Sequence, residues 1–455
     1  MSLHEECGVV GIFHHESAAT HAYFALHALQ HRGQEGAGIA TSDGEKLYCY
    51  KGQGLVADVF QDGKLRSLPG NNSIGHVRYS TAGGDVAENV QPLMARATIG
   101  SIAAAHNGQI VNADVLRQKL EEQGSIFFSS SDSEIILHLI QRGHGSMMEK
   151  IAGACRQMDG SFAFVVLTEH SLYAARDKNG LRPLSIARFG EGYCVASETC
   201  ALEALGAVWE RDIQPGEVVK ISEHGVETMY YTEETRHHLC AMEYVYFARP
   251  DSTLDGVNVH SARRLSGCIL AEKDHADGLE ADIVAGVPDS SLSAAMGYAQ
   301  VSGLPNEMGL IKNRYVGRTF IEPTQELRDM GVRMKLSANR AVVQGKRIVL
   351  IDDSIVRGTT SRRIIRILKE AGAREVHLRI ASPPLRWPCF YGVDIATRQE
   401  LISAHKEPEE LAQWIGADSL KFLSVEDLVR IYGEGQCCYA CFDGQYLTGL
   451  YNCAF

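Results

Sequence analysis

A chain of 455 residues with 45% apolar and 22% charged side chains is globular in composition and long enough for two or three cores. It has no run of eighteen apolar residues, and its start, MSLHEE, lacks the basic-then-apolar pattern of a secretion signal, which excludes a membrane span and export. A net charge of −12 excludes the basic face a nucleic-acid partner would need, so a cytoplasmic location is expected.

Cys7 leads straight into the apolar run GVVGIF. A cysteine at a free N-terminus can use its own α-amine as the base that activates its thiol, which here requires loss of residues 1–6 as a propeptide. Short alternating runs follow: GIATSDG, KLYCYKG, SIGHVRYS, SIAAAHNG, SFAFVVLT, SLYAARD, YCVAS and EVVKI. Their spacing is that of antiparallel strands, interrupted by helices near residues 18–29 and 132–141, and it predicts an α+β sandwich up to about residue 230. Beyond about Val257, helices near 261–271 and 291–301 alternate with the strands ADIVAGV, RIVLID and EVHLRI, the rhythm of an α/β parallel sheet. The join is expected in 233–256, where polar residues, Pro250 and Gly256 cluster.

In the first half HRGQEGAG (His31–Gly38), GHVRYST (Gly75–Thr81), AHNGQI (Ala105–Ile110) and SSDSE (Ser130–Glu134) follow Cys7 in that order. Together they resemble the glutamine amidotransferase domain of the N-terminal nucleophile (Ntn) hydrolases, an αββα sandwich. The resemblance implies that Cys7 attacks glutamine and forms a γ-glutamyl thioester. Arg78 would then grip the substrate carboxylate, Asp132 would pair with its ammonium, and Asn107 and Gly108 would form the oxyanion hole. Arg32, Gly33, His76 and Thr81 would shape the pocket, although Arg32 could equally be a structural ion-pair residue.

In the second half the string IVLIDDSIVRGTTS (Ile348–Ser361) reads as a buried strand, a carboxylate pair, a hydroxyl-rich turn and a helix. The helix should bury Ile364, Ile365 and Leu368 and stop at Gly372. A helix N-terminus and Gly358 suit a phosphate, whereas carboxylates suit ribose hydroxyls and Mg²⁺. The string resembles the phosphoribosylpyrophosphate (PRPP) loop of type I phosphoribosyltransferases. With MEYVYFARPDS (Met242–Ser252), GVPDSS (Gly286–Ser291) and IKNRYVGRTFI (Ile311–Ile321), the whole chain after Glu6 resembles the amidophosphoribosyltransferases, which open de novo purine synthesis.

That resemblance implies a glutamine amidotransferase domain over 7–235, an inter-domain segment over 236–256, and a phosphoribosyltransferase domain with a C-terminal cluster-binding tail over 257–455. Asp352 and Asp353 would bind ribose and, with Ser290, Mg²⁺. Ser354, Arg357, Gly358, Thr359 and Thr360 would hold the 5-phosphate. Lys312, Tyr315, Arg318 and Lys335 would meet pyrophosphate from a closing loop. A homotetramer inhibited by purine nucleotides is also implied. Rival readings are another glutamine amidotransferase, a salvage phosphoribosyltransferase, or a non-enzymatic PRPP-binding purine regulator.

Twelve cysteines are many for a cytoplasmic chain, where disulfides are rare. Cys49, Cys155, Cys194 and Cys268 sit in apolar contexts and read as buried small hydrophobes. The pair Cys438-Tyr-Ala-Cys441 leaves a redox pair, zinc or an iron–sulfur cluster open. The family's iron–sulfur branch carries a [4Fe–4S] cluster on four cysteines matching Cys240, Cys389, Cys438 and Cys441. Cys437 leaves a one-residue ambiguity in that set.

Overall fold

The apolar alternation of the first half folds into two antiparallel sheets stacked face to face. The computed structural model describes residues 7–79, 86–97, 100–313, 336–395 and 397–449, so Thr81, Tyr315, Arg318, Lys335 and the propeptide lie outside the described residues. In chain order the strands are β1 (Gly8–Phe13), β2 (Gly36–Ser42), β3 (Leu47–Gln53), β4 (Asn72–Arg78), β5 (Leu93–Ala97), β6 (Gly100–Ile110) and β7 (Gly160–Leu167). They continue with β8 (Leu172–Arg176), β9 (Ser185–Phe189), β10 (Gly192–Ala196), β11 (Val208–Asp212), β12 (Glu217–Ser222) and β13 (Gly225–Tyr230). One sheet has the order β11-β9-β10-β1-β4-β2-β3 and the other β13-β12-β8-β7-β6-β5.

Three cores define four layers. Val9, Phe13, Ile74, Ala103, Ala105 and Val165 pack between the sheets. Val10, Ile12 and Val77 face the opposite way, under the helix Ala18–Ala28. Ile102, Ala104 and Phe164 face the helices Ala113–Glu122, Glu134–Arg142 and Met147–Cys155. This is the expected αββα sandwich. Its strict period of two decides which side chains reach the space between the sheets.

In the second half the strands are β14 (Leu239–Cys240), β15 (Thr253–Leu254), β16 (Val257–Asn258), β17 (Ile283–Gly286), β18 (Leu310–Lys312) and β19 (Leu336–Ala338). They end with β20 (Arg347–Asp352), β21 (Glu375–Ile380), β22 (Ser419–Phe422) and β23 (Cys437–Cys438). Strands β17-β20-β21-β22 form a parallel sheet in that order. Val349 and Ile351 of β20 pack toward the helices Val259–Ala276 and Leu292–Ser302. Ile348 and Leu350 pack toward Thr359–Glu370 and Pro408–Ile415. Burial on both faces is why β20 reads as a continuous apolar run.

The helix Thr359–Glu370 buries Ile364, Ile365 and Leu368 as expected. It stops at Gly372, whose φ of 97° lets its N–H reach the Lys369 carbonyl while the Ala373 N–H reaches that of Leu368. That is a Schellman closure.

The segment expected to join the two halves is mostly buried over 239–248, while Pro250, Asp251 and Gly256 are exposed. Glu243 is wholly buried in a π-helical turn, Glu243–Phe247, with Tyr244 and Phe247 buried beside it. Its carboxylate takes two bonds from Arg32, at 2.9 and 2.7 Å, and one from Arg182 at 3.4 Å. Opposite charge, and not exposure, is what makes a polar residue here compatible with burial. Glu243→Gln leaves two buried guanidinium groups short of a counter-charge, so it should cost about 3–5 kcal/mol of stability. The denaturant midpoint of unfolding reads this, and an unchanged midpoint would contradict the assignment.

Candidate active sites

Cys7 stands immediately before β1, and the side-chain direction of Gly8 points at Val77, Leu29 and Arg32 on the helical side. Cys7 therefore shares the inward side with Val9. Its Sγ lies 3.5 Å from the Tyr79 carbonyl, and its own carbonyl accepts from Arg32 Nε at 2.9 Å. On β4 the inward series Ile74 continues with His76 and Arg78; on β6 the series Ala103, Ala105 continues with Asn107. β1 and β4 both lie against β6 across the sandwich. Sheet alternation thus brings Cys7, Arg78 and Asn107 into one inter-sheet space.

Asn107 is buried, and among the described residues its Nδ2 has no hydrogen-bond partner. A buried amide donor left unpaired is costly, which marks it as a donor reserved for a ligand atom. Gly108 follows at φ 137°, where a Cβ would meet the Ser161 carbonyl oxygen at 2.2 Å, so no side chain fits. Asp132 sits just before the helix Glu134–Arg142 and accepts from the Ile110 N–H at 2.9 Å. Gly33 is locked against the backbone of Arg78, 2.6 Å from where its Cβ would lie.

Two residues expected to shape the pocket also make structural contacts. Arg32 spends its guanidinium on Glu198 and Glu243 and on the Cys7 carbonyl, so it fastens the backbone at Cys7 and makes the ion pairs that one of the two readings expected. His76 is wholly buried, and its Nε2 bonds the His106 carbonyl at 3.1 Å. That bond fastens one sheet to the other one residue from Asn107. Burial pushes the His76 imidazole down to about 3, so it is neutral and Nε2 carries the proton.

In the parallel sheet Asp352 ends β20, and Gly286 ends its neighbour β17 opposite Ile351. The loops after both strands therefore meet at the carboxyl edge, where open α/β sheets bind ligands. Ser290 Oγ donates to Asp353, Ser291 Oγ approaches Asp352 at 3.4 Å, and Ser354 Oγ donates to Asp353 at 2.6 Å. Both carboxylates are buried. Burial, reinforced by Asp353, raises Asp352 well above the usual carboxylate range, and burial raises Asp353 too. Such a pair is a poor anion alone and a good ligand set for a hard cation.

Gly358 caps the helix Thr359–Glu370 at φ 71°, with Trp414 2.9 Å from where a Cβ would stand. Thr359 and Thr360 open that helix, so its first N–H groups face the same loop. The Arg357 guanidinium pairs with Glu400 at 2.5 Å. Lys312, exposed at the end of β18, pairs with Asp289 at 2.7 Å.

The four cysteines converge. Cys240 and Cys438 are register partners in the parallel ladder of β14 and β23. The Arg386 and Trp387 N–H groups bond the Cys441 carbonyl at 3.0 and 3.1 Å, which draws the Cys389 loop in. Burial raises the Cys441 thiol, and Cys240, Cys389 and Cys438 add to the effect; Cys438 is pushed up to about 12 by burial. Cys437, the alternative ligand, pairs in register with Leu239 and packs with Tyr244 and Tyr432 instead. Among the described residues no three of His, Cys, Asp or Glu are gathered tightly enough for a single ion.

Sequence reasoning missed Glu198 and Glu243, the two buried carboxylates that hold Arg32. A lone acid inside the aromatic run MEYVYF was the available signal for the second.

Family models match a glutamine amidotransferase domain over 76–204 and a phosphoribosyl transferase domain over 261–381. The amidophosphoribosyltransferase of Bacillus subtilis is 55% identical over 99% of this chain and 96% of its own length. That of Staphylococcus aureus (strain MRSA252) is 51% identical over 99% and 92%. The chain belongs to the amidophosphoribosyltransferase family. The solved B. subtilis glutamine PRPP amidotransferase, complexed with ADP and GMP, superposes with a TM-score of 0.93 at 54% identity, covering 98% of each chain. This amidophosphoribosyltransferase accordingly uses glutamine to aminate PRPP, yielding 5-phosphoribosylamine, glutamate and pyrophosphate in purine biosynthesis.

The neutral His76 has a stability signature. Its imidazole takes a proton below pH 6.5 when unfolded but only near 3 when folded, so stability falls as pH drops through that window. The slope from this residue is up to about 1.4 kcal/mol per pH unit. His76→Gln should flatten the decline of the thermal midpoint between pH 6.5 and 5. An identical slope in both proteins would contradict the assignment.

Proposed function

We propose that Cys7 is the nucleophile of the glutaminase half, acting once its α-amine is free. The amine takes the thiol proton, sulfur attacks the glutamine amide carbon, and the C–N bond breaks as the same proton leaves with ammonia. Water then cleaves the thioester and releases glutamate. Asn107 Nδ2 and the Gly108 N–H hold the oxyanion in both steps, Arg78 binds the substrate carboxylate and Asp132 its ammonium. The observation that carries this reading is the unpaired, buried Asn107 amide on the inward side shared with Cys7. Such a donor acts on charge that appears only during reaction. Thr81 belongs to the same proposed pocket.

In the second half we assign ribose binding to Asp352 and Asp353, and the 5-phosphate to Ser354, Gly358, Thr359 and Thr360, with Arg357 contributing its backbone. Lys312, Tyr315, Arg318 and Lys335 are assigned to pyrophosphate. Mg²⁺, held by Asp352, Asp353 and Ser290 with the substrate, supplies charge stabilisation to the leaving pyrophosphate. Buried carboxylates that resist ionisation alone are a donor set suited to that ion. Ammonia attacks ribose C1 as the C–O bond to pyrophosphate breaks.

Four thiols, with Cys438 and Cys441 raised by burial and Cys240 set beside Cys438 in the ladder, support the [4Fe–4S] site that the family's iron–sulfur branch implies. Ladder register favours Cys438 over Cys437 as a ligand. Cys240, Cys389, Cys438 and Cys441 would hold the cluster, which supplies a structural cross-link. Purine nucleotides are the proposed inhibitors, since ADP and GMP occupy the B. subtilis relative, and a homotetramer is the proposed assembly.

Three outcomes test this reading. Asn107→Ala should lower glutaminase kcat by about 10²–10³-fold, and Cys7→Ala should abolish it, while synthesis from added ammonia persists in both. Asp352→Asn should cripple PRPP turnover and leave basal glutaminase in place. Purified protein should contain iron and sulfide; active protein with zinc and neither would refute the cluster.

A further inference from the structure

We infer that His106, Ser133 and Gln91 form a buried brace that fixes Asp132 relative to the strand carrying Asn107, and thereby sets selection for a substrate with a free α-ammonium. The inference rests on the proposed pairing of Asp132 with that ammonium.

Alternation along β6 sends Asn107 inward and its neighbour His106 to the reverse face, toward the helix Glu134–Arg142. There His106 is buried, and its Nδ1 lies 2.9 Å from Ser133 Oγ. The His106 backbone N–H donates to Gln91 Oε1 at 2.7 Å, which fixes the orientation of that amide. Gln91 Nε2 therefore donates, reaching Ser133 Oγ at 3.1 Å. Ser133 Oγ is in turn 3.4 Å from Asp132 Oδ1, while Asp132 Oδ2 accepts from the Ile110 N–H at 2.9 Å. Both carboxylate oxygens are thus tied to the strand of the oxyanion hole, one directly and one through the brace.

Proton placement follows from geometry. Among the described residues His106 Nε2 makes no hydrogen bond of good geometry, although the Ser161 carbonyl acts on the ring, whereas Nδ1 lies 2.9 Å from Ser133 Oγ. The proton therefore sits on Nδ1 and is donated to Ser133 Oγ. With two donors aimed at it, the Ser133 hydroxyl has its own proton left for Asp132. Burial lowers the His106 pKa and keeps the ring in this neutral form. The brace acts through Asp132 and touches no substrate, so these are positioning residues.

The test uses the full-length enzyme with PRPP and compares kcat/KM for glutamine with that for glutaramate, which is glutamine lacking the α-amine. Ser133→Ala should lower the glutamine-to-glutaramate ratio about tenfold or more, with the loss in KM for glutamine. His106→Leu should do the same, and His106→Asn, whose amide can replace the Nδ1 donor, should recover part of it. Synthesis from added ammonia should be unchanged in all three. A proportional loss on both substrates, leaving the ratio intact, would show a merely structural role and overturn the inference. Asp132→Asn is the control. If it lowers the ratio and Ser133→Ala does not, the brace is wrong; if Asp132→Asn itself leaves the ratio unchanged, the ammonium pairing fails and the inference falls with it.

Discussion

The structure depends on one guanidinium. Arg32 reaches the Cys7 carbonyl with Nε, Glu198 with Nη1 and Glu243 with both Nη atoms, and the arginine and both glutamates are buried. Burial opposes the charge on Glu198, yet His31 and Arg32 outweigh it and hold the carboxyl far below its usual range. Glu198 also accepts from Ser252 Oγ at 2.6 Å and from the Arg249 N–H at 2.9 Å. Arg182 joins Glu243 to the Tyr391 carbonyl, two residues beyond Cys389. A single charge network therefore ties Cys7 to Glu243 at the junction and to the cysteine-rich corner. A buried network of this kind is geometrically exacting, since loss of one member strands the others.

The second site answers to a different constraint. Its carboxylates are placed where water cannot stabilise them and where nearby serines supply only partial compensation. Arg263 is a nearby positive charge acting on Asp353, and Arg263 itself is bound to the Tyr244 and Ala248 carbonyls of the junction. The same short segment thus carries Glu243 toward one site and receives Arg263 from the other.

Legibility in the sequence tracked burial. Strands with a buried face, such as β1, β4, β6, β7 and β20, announced themselves by apolar alternation or continuity. The strands β11 and β13 did not, because they lie at sheet edges with mostly exposed or half-buried residues, including Val208 and Tyr230. Cys7, the acidic pair and the four cysteines stood out because the chemistry proposed for them is tied to residue type. The ion pairs of Arg32 and the inter-sheet bond of His76 did not, since a cation or an imidazole has the same letter whether it meets substrate or holds a fold. The burial at the junction was not legible for a related reason. Polar residues along 233–256 marked the join, but only the arrival of Arg32 and Arg182 from distant loops makes Glu243 an interior residue.

The two-residue ladder between β14 and β23 has a consequence for biosynthesis. It pairs the first strand of the second half with the last, in parallel, so neither can form its ladder alone. On the ribosome, the antiparallel sandwich can assemble while the rest of the chain is still being made, but Cys240 must wait for Cys438 and Cys441 to emerge. The thiol corner is thus the last part of the molecule to close. An inorganic group bound there, as proposed, would be added only after both ends of the second half had been made.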